Sequence, residues 1–546
     1  MVITDFLERN ARLYGDEIAL VEINPSEERD KAVSWSEANL IDFQQEGAPY
    51  RRAMSWQDFD RRANRIANML LSRDLPKGTK VGILLLNCLE WLPIYFGILK
   101  AGMIAVPLNF RYSSEEIRYC LDLADVEVLF FGPEFVERLD AVRDQIPKVR
   151  RMLFVGRNNP DYAYNLLDIL RYYSSNVPPV EMTEDDYGAI YFSSGTTGFP
   201  KAILHKHRAL MTAALTEQHH HSQTRDDVFL CIPPLYHTGA KMHWFGSLVS
   251  ASRAVLLRGV KPEWIIRTVM EEKCTIVWLL VPWAQDILDA IDDGRIQLER
   301  KYLDQWRLMH IGAQPVPPSL IKRWLKIFPK HQYDTNYGLS ESIGPGCVHL
   351  GVENVEKVGA IGIPGYHWEA KIVNEAGEIV PKGEVGELAV KGGGVMVCYY
   401  KNPEATKEIL GADGWLRTGD MARCDEDGFI WLVDRKKDVI ITGGENLYPV
   451  EIENFMRAND KIKDVAVIGV PDERLGEIAA AIIEVKEGMT LTEEEVRDFN
   501  RGMPRYKRPR VIIFDKIPRN PTGKIEKPVL RKKYSVERLV EAETGR

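Results

Sequence analysis

The strongest constraint on this chain is an alternation that begins at Lys80. A short apolar strand, a turn of Gly, Pro or polar residues and a helical pattern follow one another: "KVGILLLN" precedes "LEWLPIYFGILKAG", "CTIVWLLVP" precedes "WAQDILDAIDD", and "WRLMHIGAQP" precedes "PPSLIKRWLKIF". Strands this uniformly apolar are buried on both faces, and the helices between them must cover those faces, so the pattern predicts parallel sheets wound on both sides. Ligands of such sheets collect in the loops beyond the carboxyl ends of the strands. At 546 residues the chain exceeds one core, and roughly two to four domains are expected.

The texture then changes. Between about Trp368 and Ile441, "AKIVNEAGEIVPKGEVGELAVKG" and "GFIWLVDRKKDVIIT" read as short strands joined by Gly, Asn and Asp turns, an antiparallel section. Beyond it, "YPVEIENFMRAND" is helical, "DVAVIGVPDERLGEIAAAIIEV" holds two strands, and "TLTEEEVRDFNRG" opens with a Thr cap and an acidic first turn, which makes a small α+β unit. Residues from about Pro25 to Arg52 are polar and read as an irregular surface excursion, and the N-terminus reads as an amphipathic helix rather than a secretory signal. No apolar run is long enough to span a bilayer. The formal net charge of −8 argues against a nucleic-acid platform, and seven scattered cysteines without a C-x-x-C pair favour a reducing compartment, the cytoplasm.

One loop advertises phosphate chemistry. "YFSSGTTGFPK", Tyr191 to Lys201, follows a predicted strand and combines hydroxyls, two glycines and a lysine. Its order of Gly195, Gly198, Lys201 and then Ala202 departs from G-x-x-x-x-G-K-[ST], and the hydroxyl that would ligate Mg²⁺ after the lysine is missing. A kinase-like or motor-ATPase reading thereby loses its central metal contact. The run "HHH" at His219–His221 invites a metal reading, but neighbours on a helix diverge by about 100° and do not converge on one ion.

"YFSSGTTGFPK", "YGLSES", "GWLRTGD", "DRKKD", "ITGGENLYPVEIE" and "NPTGKI" occur here in the order found in adenylate-forming enzymes, the family of acyl-CoA synthetases, luciferase-like proteins and peptide-synthetase adenylation domains. The resemblance covers nearly the whole chain. It implies an α/β fold: a large N-terminal domain, 1–436, of two doubly wound sheets plus a β-barrel-like section, and a small mobile α+β C-terminal domain, 437–546. It also implies an AMP-forming carboxylic acid:CoA ligase with ATP and CoA as substrates, Mg²⁺ as cofactor and a fatty, alicyclic or aromatic acid as acyl donor; a homodimer is compatible with it. An acyl-AMP-forming enzyme with another acceptor, carrier protein or luciferase-like, and a non-catalytic nucleotide-binding protein are the alternatives.

Residue by residue, the resemblance assigns Ser193, Ser194, Gly195, Thr196, Thr197, Gly198 and Lys201 to the phosphates, a role suited to backbone N–H groups and hydroxyls in a Gly-rich loop. Gly312, Ala313, Gln314, Asn336, Tyr337, Gly338 and Ser340 are expected around adenine, Asp420 and Arg435 at the ribose, and Glu341 with Thr196 at the metal. Lys524 is expected to offset the charge that builds as carboxylate and α-phosphate meet. Gly443, Gly444 and Glu445 are expected to line the approach of CoA, and Lys437 to be the hinge that lets one small domain serve both steps. His237, a gate residue with an expected catalytic role, Gly239, Ala240, Trp244, Leu339, Ile343 and Gly344 are the expected acyl pocket, with glycines at 344 and 346 leaving room for a ring or longer chain. No aspartate stands where amino-acid-activating relatives carry one, which favours an acid without an α-amine. Lys241 has no assigned role, and Gly393, Cys398 and Ala202 depart from the family pattern in structural turns.

Overall fold

The computed structural model describes residues 1–26, 32–35, 50–193, 200–312, 316–350, 352–442, 445–472, 474–519 and 525–534. Among them, two large sheets organise the first three-quarters of the chain. In the ten-stranded sheet, Ile18–Ile23, Arg253–Leu257, Val228–Cys231, Ile276–Leu280, Leu308–Gly312 and Gln332–Tyr337 run parallel in that spatial order. The eight-stranded sheet has parallel strands centred on Lys80–Leu84 and Ile104–Pro107 and ends in an antiparallel pair, Tyr187–Ser193 with Lys201–Lys206, edged by Cys398–Tyr399.

Side-chain alternation explains how both sheets are covered. Phe229 and Cys231 point into a core shared by the two sheets, while Leu230 between them points to the opposite face. The shared core is filled by the helices Trp56–Leu71, Trp91–Lys100, His207–His220 and Thr238–Ser250. The helices Pro262–Glu272, Val281–Asp292 and Pro318–Ile327 cover the outer face of the larger sheet, and Ser114–Leu123 that of the smaller. Helix starts are set locally: Ser55 Oγ accepts the Asp58 N–H at 3.1 Å, and Thr492 with Glu495 forms the expected capping box.

A four-stranded antiparallel sheet of Trp368–Val373, Gly386–Gly392, Leu416–Cys424 and Ile430–Arg435 packs its apolar face with Ile203, Tyr337 and Tyr399. The C-terminal unit pairs Ile462–Asp472 with Gly476–Val485 and adds Val511–Phe514 in parallel.

The excursion after Pro25 is less irregular than its composition suggests. Ala32–Trp35 and Arg51–Ser55 are paired strands at the end of the larger sheet, and Arg52 is buried in ion pairs with Glu22 and Glu90. The polar character that read as a loop is in part an internal charge network.

Candidate active site

The site gathers where the sheets end. Ser193 and Lys201 are cross-strand partners, so the two ends of the phosphate loop are pinned to each other; Ser194, Gly195, Thr196, Thr197 and Gly198 lie outside the described residues. The root of the loop is fixed in the core by Tyr191, whose hydroxyl lies 2.7 Å from that of Tyr95. A cavity of about 10 Å³, room for one water, joins Tyr191, His237 and Ser340.

Asn336 and Tyr337 end a parallel strand, and Gly312 ends its neighbour; Ala313 and Gln314 lie outside the described residues. Gly338 is required by backbone crowding, since a Cβ there would lie 2.3 Å from the Gly344 carbonyl oxygen. The turn that follows is stiff. Ser342 Oγ accepts the Leu339 N–H at 3.0 Å, His205 Nε2 donates to the Ser340 carbonyl at 2.8 Å, and Ile343, a β-branched residue, sits at φ +50°. Such a conformation costs of order 1–3 kcal/mol and persists only where the surroundings enforce it. Glu341 is thereby presented at the cleft, its Oε1 accepting the Tyr399 hydroxyl at 2.7 Å.

Asp420 and Arg435 are cross-strand partners in the antiparallel sheet. Arg435 Nε meets Asp420 Oδ1 at 2.7 Å, and the Tyr337 hydroxyl donates to Asp420 Oδ2 at 2.5 Å. Three motifs far apart in sequence therefore meet on one buried carboxylate. Asp420 raises the affinity of the Arg435 guanidinium for its proton, and burial together with Asp420 pushes the Tyr337 phenol well above its ordinary value. Tyr337 thus stays a donor, with its ring held in place beside the Asp420 carboxylate.

His237 caps the helix Thr238–Ser250, its Nδ1 accepting the Gly239 N–H at 3.2 Å. Of the remaining acyl-pocket set, Gly239 and Leu339 stay partly exposed. Trp244 does not: it is fully buried against Phe59, Phe96 and Phe245, and Ala240 and Ile343 belong to the same core. Helical spacing from His237 defines a face but not which way that face looks. Gly344 and Gly346 leave no room for substrate either, because the directions their side chains would take are filled by Trp368, with Ala213 and Val390. A contact that the sequence reading missed is Trp278, itself buried in that core, whose Cη2 lies 3.1 Å from the place of a Gly239 Cβ. Its signal was an aromatic in the strand before "VP", which reads equally well as core.

Trp278 is paired in register with His310, and His310 with Asp334. Here lies a buried network. Asp334 Oδ2 accepts from His310 Nδ1 and His221 Nε2, each at 2.7 Å, and Glu217 Oε1 is ion-paired with His221, 2.9 Å from its Nδ1. Burial works against a cation at His221, but the two carboxylates outweigh it and hold the imidazolium up to about 10. The three convergent atoms, 2.7–3.2 Å apart, stand at hydrogen-bond lengths, closer than the roughly 3.3 Å between ligands of a tetrahedral ion with 2.0 Å bonds. Of the three consecutive histidines His221 alone joins this network: His219 stacks on Tyr366 and His220 accepts the Tyr366 N–H.

Lys437 lies between the large sheets and the C-terminal unit with its side chain exposed, and partial desolvation of the ammonium lowers its affinity for the proton. On either side of it, Asp434 Oδ2 accepts the Val450 N–H at 2.9 Å and Asp438 pairs with Arg531 at 2.7 Å. Burial pushes the Asp434 carboxyl up to about 6, against the pull of Lys527. Gly443, Gly444 and Lys524 lie outside the described residues, and Glu445 opens the short strand Glu445–Leu447. The segment that carries Lys524 is closed by a bridge between Arg519 and Ile525, with Arg519 ion-paired to Asp464.

Two wound sheets, an antiparallel sheet carrying a Tyr–Asp–Arg cluster and a C-terminal α+β unit define an adenylate-forming enzyme. The model of the AMP-binding enzyme family matches residues 7–400, and that of the AMP-binding enzyme C-terminal domain matches residues 451–524. The chain is 32% identical over 493 residues to the long-chain-fatty-acid–CoA ligase FadD13 of Mycobacterium tuberculosis, covering 88% of this chain and 93% of that one. It is 32% identical over 486 residues to the feruloyl-CoA synthase of an Amycolatopsis species, with 88% and 94% covered. ATP-bound MatB from Rhodopseudomonas palustris superimposes with a TM-score of 0.82 at 26% identity, over 98% and 99% of the two chains. The chain belongs to the AMP-binding enzyme family, and it is an AMP-forming acyl-CoA synthetase that joins a carboxylic acid to CoA with ATP as co-substrate. Among the described residues no helix is long and apolar enough to cross a membrane.

Proposed function

We propose that the acid is compact and cyclic, one or two rings rather than a long chain. The observation that carries this is Trp278: its indole closes the space beneath Gly239, and the buried Glu217–His221–Asp334–His310 network stands behind it. Displacing the wall to admit a chain would open the core in which Trp278 is buried, and losing a large aromatic from such a core costs about 3–5 kcal/mol. Relatives named for feruloyl and indenyl-propanoyl substrates support the reading; the relative named for long-chain fatty acids stands on the other side.

In this reading a carboxylate oxygen attacks the α-phosphorus of ATP, the bond to the bridging oxygen breaks, and pyrophosphate leaves. The CoA sulfur then attacks the acyl carbon and AMP departs. Lys201 and the loop after Ser193 hold the leaving phosphates, and Tyr337, Asp420 and Arg435 hold the nucleoside. Lys524 bridges the two anions of the first step, while Gly443, Gly444 and Glu445 border the thiol's path. The domain boundary falls at 436/437, and rotation about Lys437 exchanges the two C-terminal segments at one site. Glu341 offers a partly exposed carboxylate with one oxygen already oriented, a donor that suits a hard cation such as Mg²⁺. That ion, when bound, would offset phosphate charge. All seven cysteines are free thiols, which supports a cytoplasmic setting.

The test is pyrophosphate release across straight-chain, cyclohexane-type and benzoate-type acids, with and without CoA. Ring acids should show the highest kcat/KM and need CoA for turnover. A preference for chains of twelve or more carbons would overturn the assignment of the acid.

A further inference from the structure

Tyr399 touches both charged groups assigned to the triphosphate end of the nucleotide. Its hydroxyl donates to Glu341 Oε1 at 2.7 Å, and the Lys201 ammonium stands over its ring, 4.5 Å from the centroid. Lys201 forms no ion pair with any described residue, so the ring face is its described resting place. The phenol itself is held from behind. Tyr399 pairs with Ile203 on the strand that Lys201 begins, and its own N–H donates to Thr406 Oγ1 at 2.9 Å. The neighbouring Tyr400 N–H donates to Ala202 at 2.8 Å, and the Met396 N–H to the Glu341 carbonyl at 2.8 Å. The short segment 396–400 thus bonds to the backbone at both Ala202 and Glu341.

We propose that Tyr399 is a positioning residue: it keeps the Glu341 carboxylate and the Lys201 ammonium apart and separately aimed, so that a metal–triphosphate finds both rather than a closed Glu341–Lys201 ion pair. The physical reason is that opposite charges meet on one side chain, the carboxylate at its hydroxyl and the ammonium over its ring. Cation–π attraction holds the ammonium on the ring without consuming a carboxylate, and the hydroxyl fixes one oxygen of Glu341 as a hydrogen-bond donor behind a metal ligand fixes that ligand. When nucleotide arrives, the lysine can leave the ring for phosphate while the carboxylate keeps its orientation. The inference rests on the assignment of Glu341 to the metal.

Two variants separate the functions of ring and hydroxyl. Tyr399→Phe keeps the ring and loses the hydroxyl; Tyr399→Leu loses both. The readout is ATP binding by calorimetry over a Mg²⁺ titration, repeated with Mn²⁺ followed by its electron paramagnetic resonance signal, alongside the melting temperature. Tyr399→Phe should raise the metal concentration for half-maximal ATP binding about tenfold, the lower end of what losing a hydrogen bond to a metal ligand costs, with little change in melting temperature. Tyr399→Leu should also weaken metal-free ATP binding. Glu341→Gln serves as reference. If it raises the metal requirement and Tyr399→Phe titrates as the parent does, the positioning role is refuted. If Glu341→Gln leaves the requirement unchanged, the metal assignment fails and takes this inference with it. A melting-temperature loss in Tyr399→Phe without a change in metal dependence would make the residue merely structural.

Discussion

The buried network around His221 gives a sharp, quantitative expectation. His221 is held protonated up to about 10 because Glu217 and Asp334 outweigh the cost of burying the cation. In the unfolded chain the same side chain titrates near its ordinary value of 6.5. A folded value above the unfolded one means that the contribution is complete below about pH 6.5 and lost as pH rises towards about 10. Within that window the folded state holds one extra proton, so stability falls by about 1.36 kcal/mol per pH step, or roughly 2.7 kcal/mol between pH 7 and 9. The perturbation is the double substitution Glu217→Gln with Asp334→Asn. Both amides keep an oxygen or nitrogen in the place of the carboxylate, so a neutral His221 can remain hydrogen-bonded while the reason for its charge is gone. The assay is equilibrium urea unfolding followed by tryptophan fluorescence at pH 7, 8 and 9. All twelve tryptophans precede Lys437, so the signal reports the large domain alone. The parent should lose stability across the series, and the double variant should lack that His221-linked loss. Equal slopes in the two proteins would refute the assignment of a buried imidazolium.

Three further expectations follow from particular side chains. Lys524→Ala should abolish acyl-AMP formation, measured as a pyrophosphate burst, yet spare thioester formation from synthetic acyl-AMP; equal loss of both steps would remove its proposed role. Trp244→Ala should destabilise the large domain by about 3–5 kcal/mol without changing the ranking of acids, whereas Trp278→Ala should admit longer acids, both read from the acid panel and thermal melts. Asp434 is raised by burial to about 6 against an ordinary 3.8, so its stabilising share is complete below about pH 4 and lost as pH rises through about 6. Asp434→Asn, which keeps an acceptor for the Val450 N–H, should remove that loss, with the gap in melting temperature opening between pH 4 and 6 and staying constant above. A gap independent of pH would be evidence against the shift.

What the sequence discloses depends on how local the cause is. The wound sheets were legible because strands such as "IVWLL" are apolar at every position, the mark of burial on both faces. Thr492 was legible as a cap because its partner, Glu495, stands three residues on. Asp334 was not, since its partners lie 24 and 113 positions away and its strand, "QYDTNY", is polar where the rule expects apolar residues. Arg52 was misread for the same reason: a charge whose partners are remote looks solvated. The site falls between these extremes. Its motifs were visible singly, but what makes them a site is sheet register: Ser193 opposite Lys201, Ile203 opposite Tyr399, Asp420 opposite Arg435. A shift of one residue in any of these pairings would turn the functional side chain to the other face. The short antiparallel strands at the edges of the large sheets therefore do more than close those sheets: they set the aim of Lys201, Glu341 and Asp420. For that reason Tyr399, which reads in sequence as one more strand aromatic, can govern two charges that the motifs assign to separate tasks.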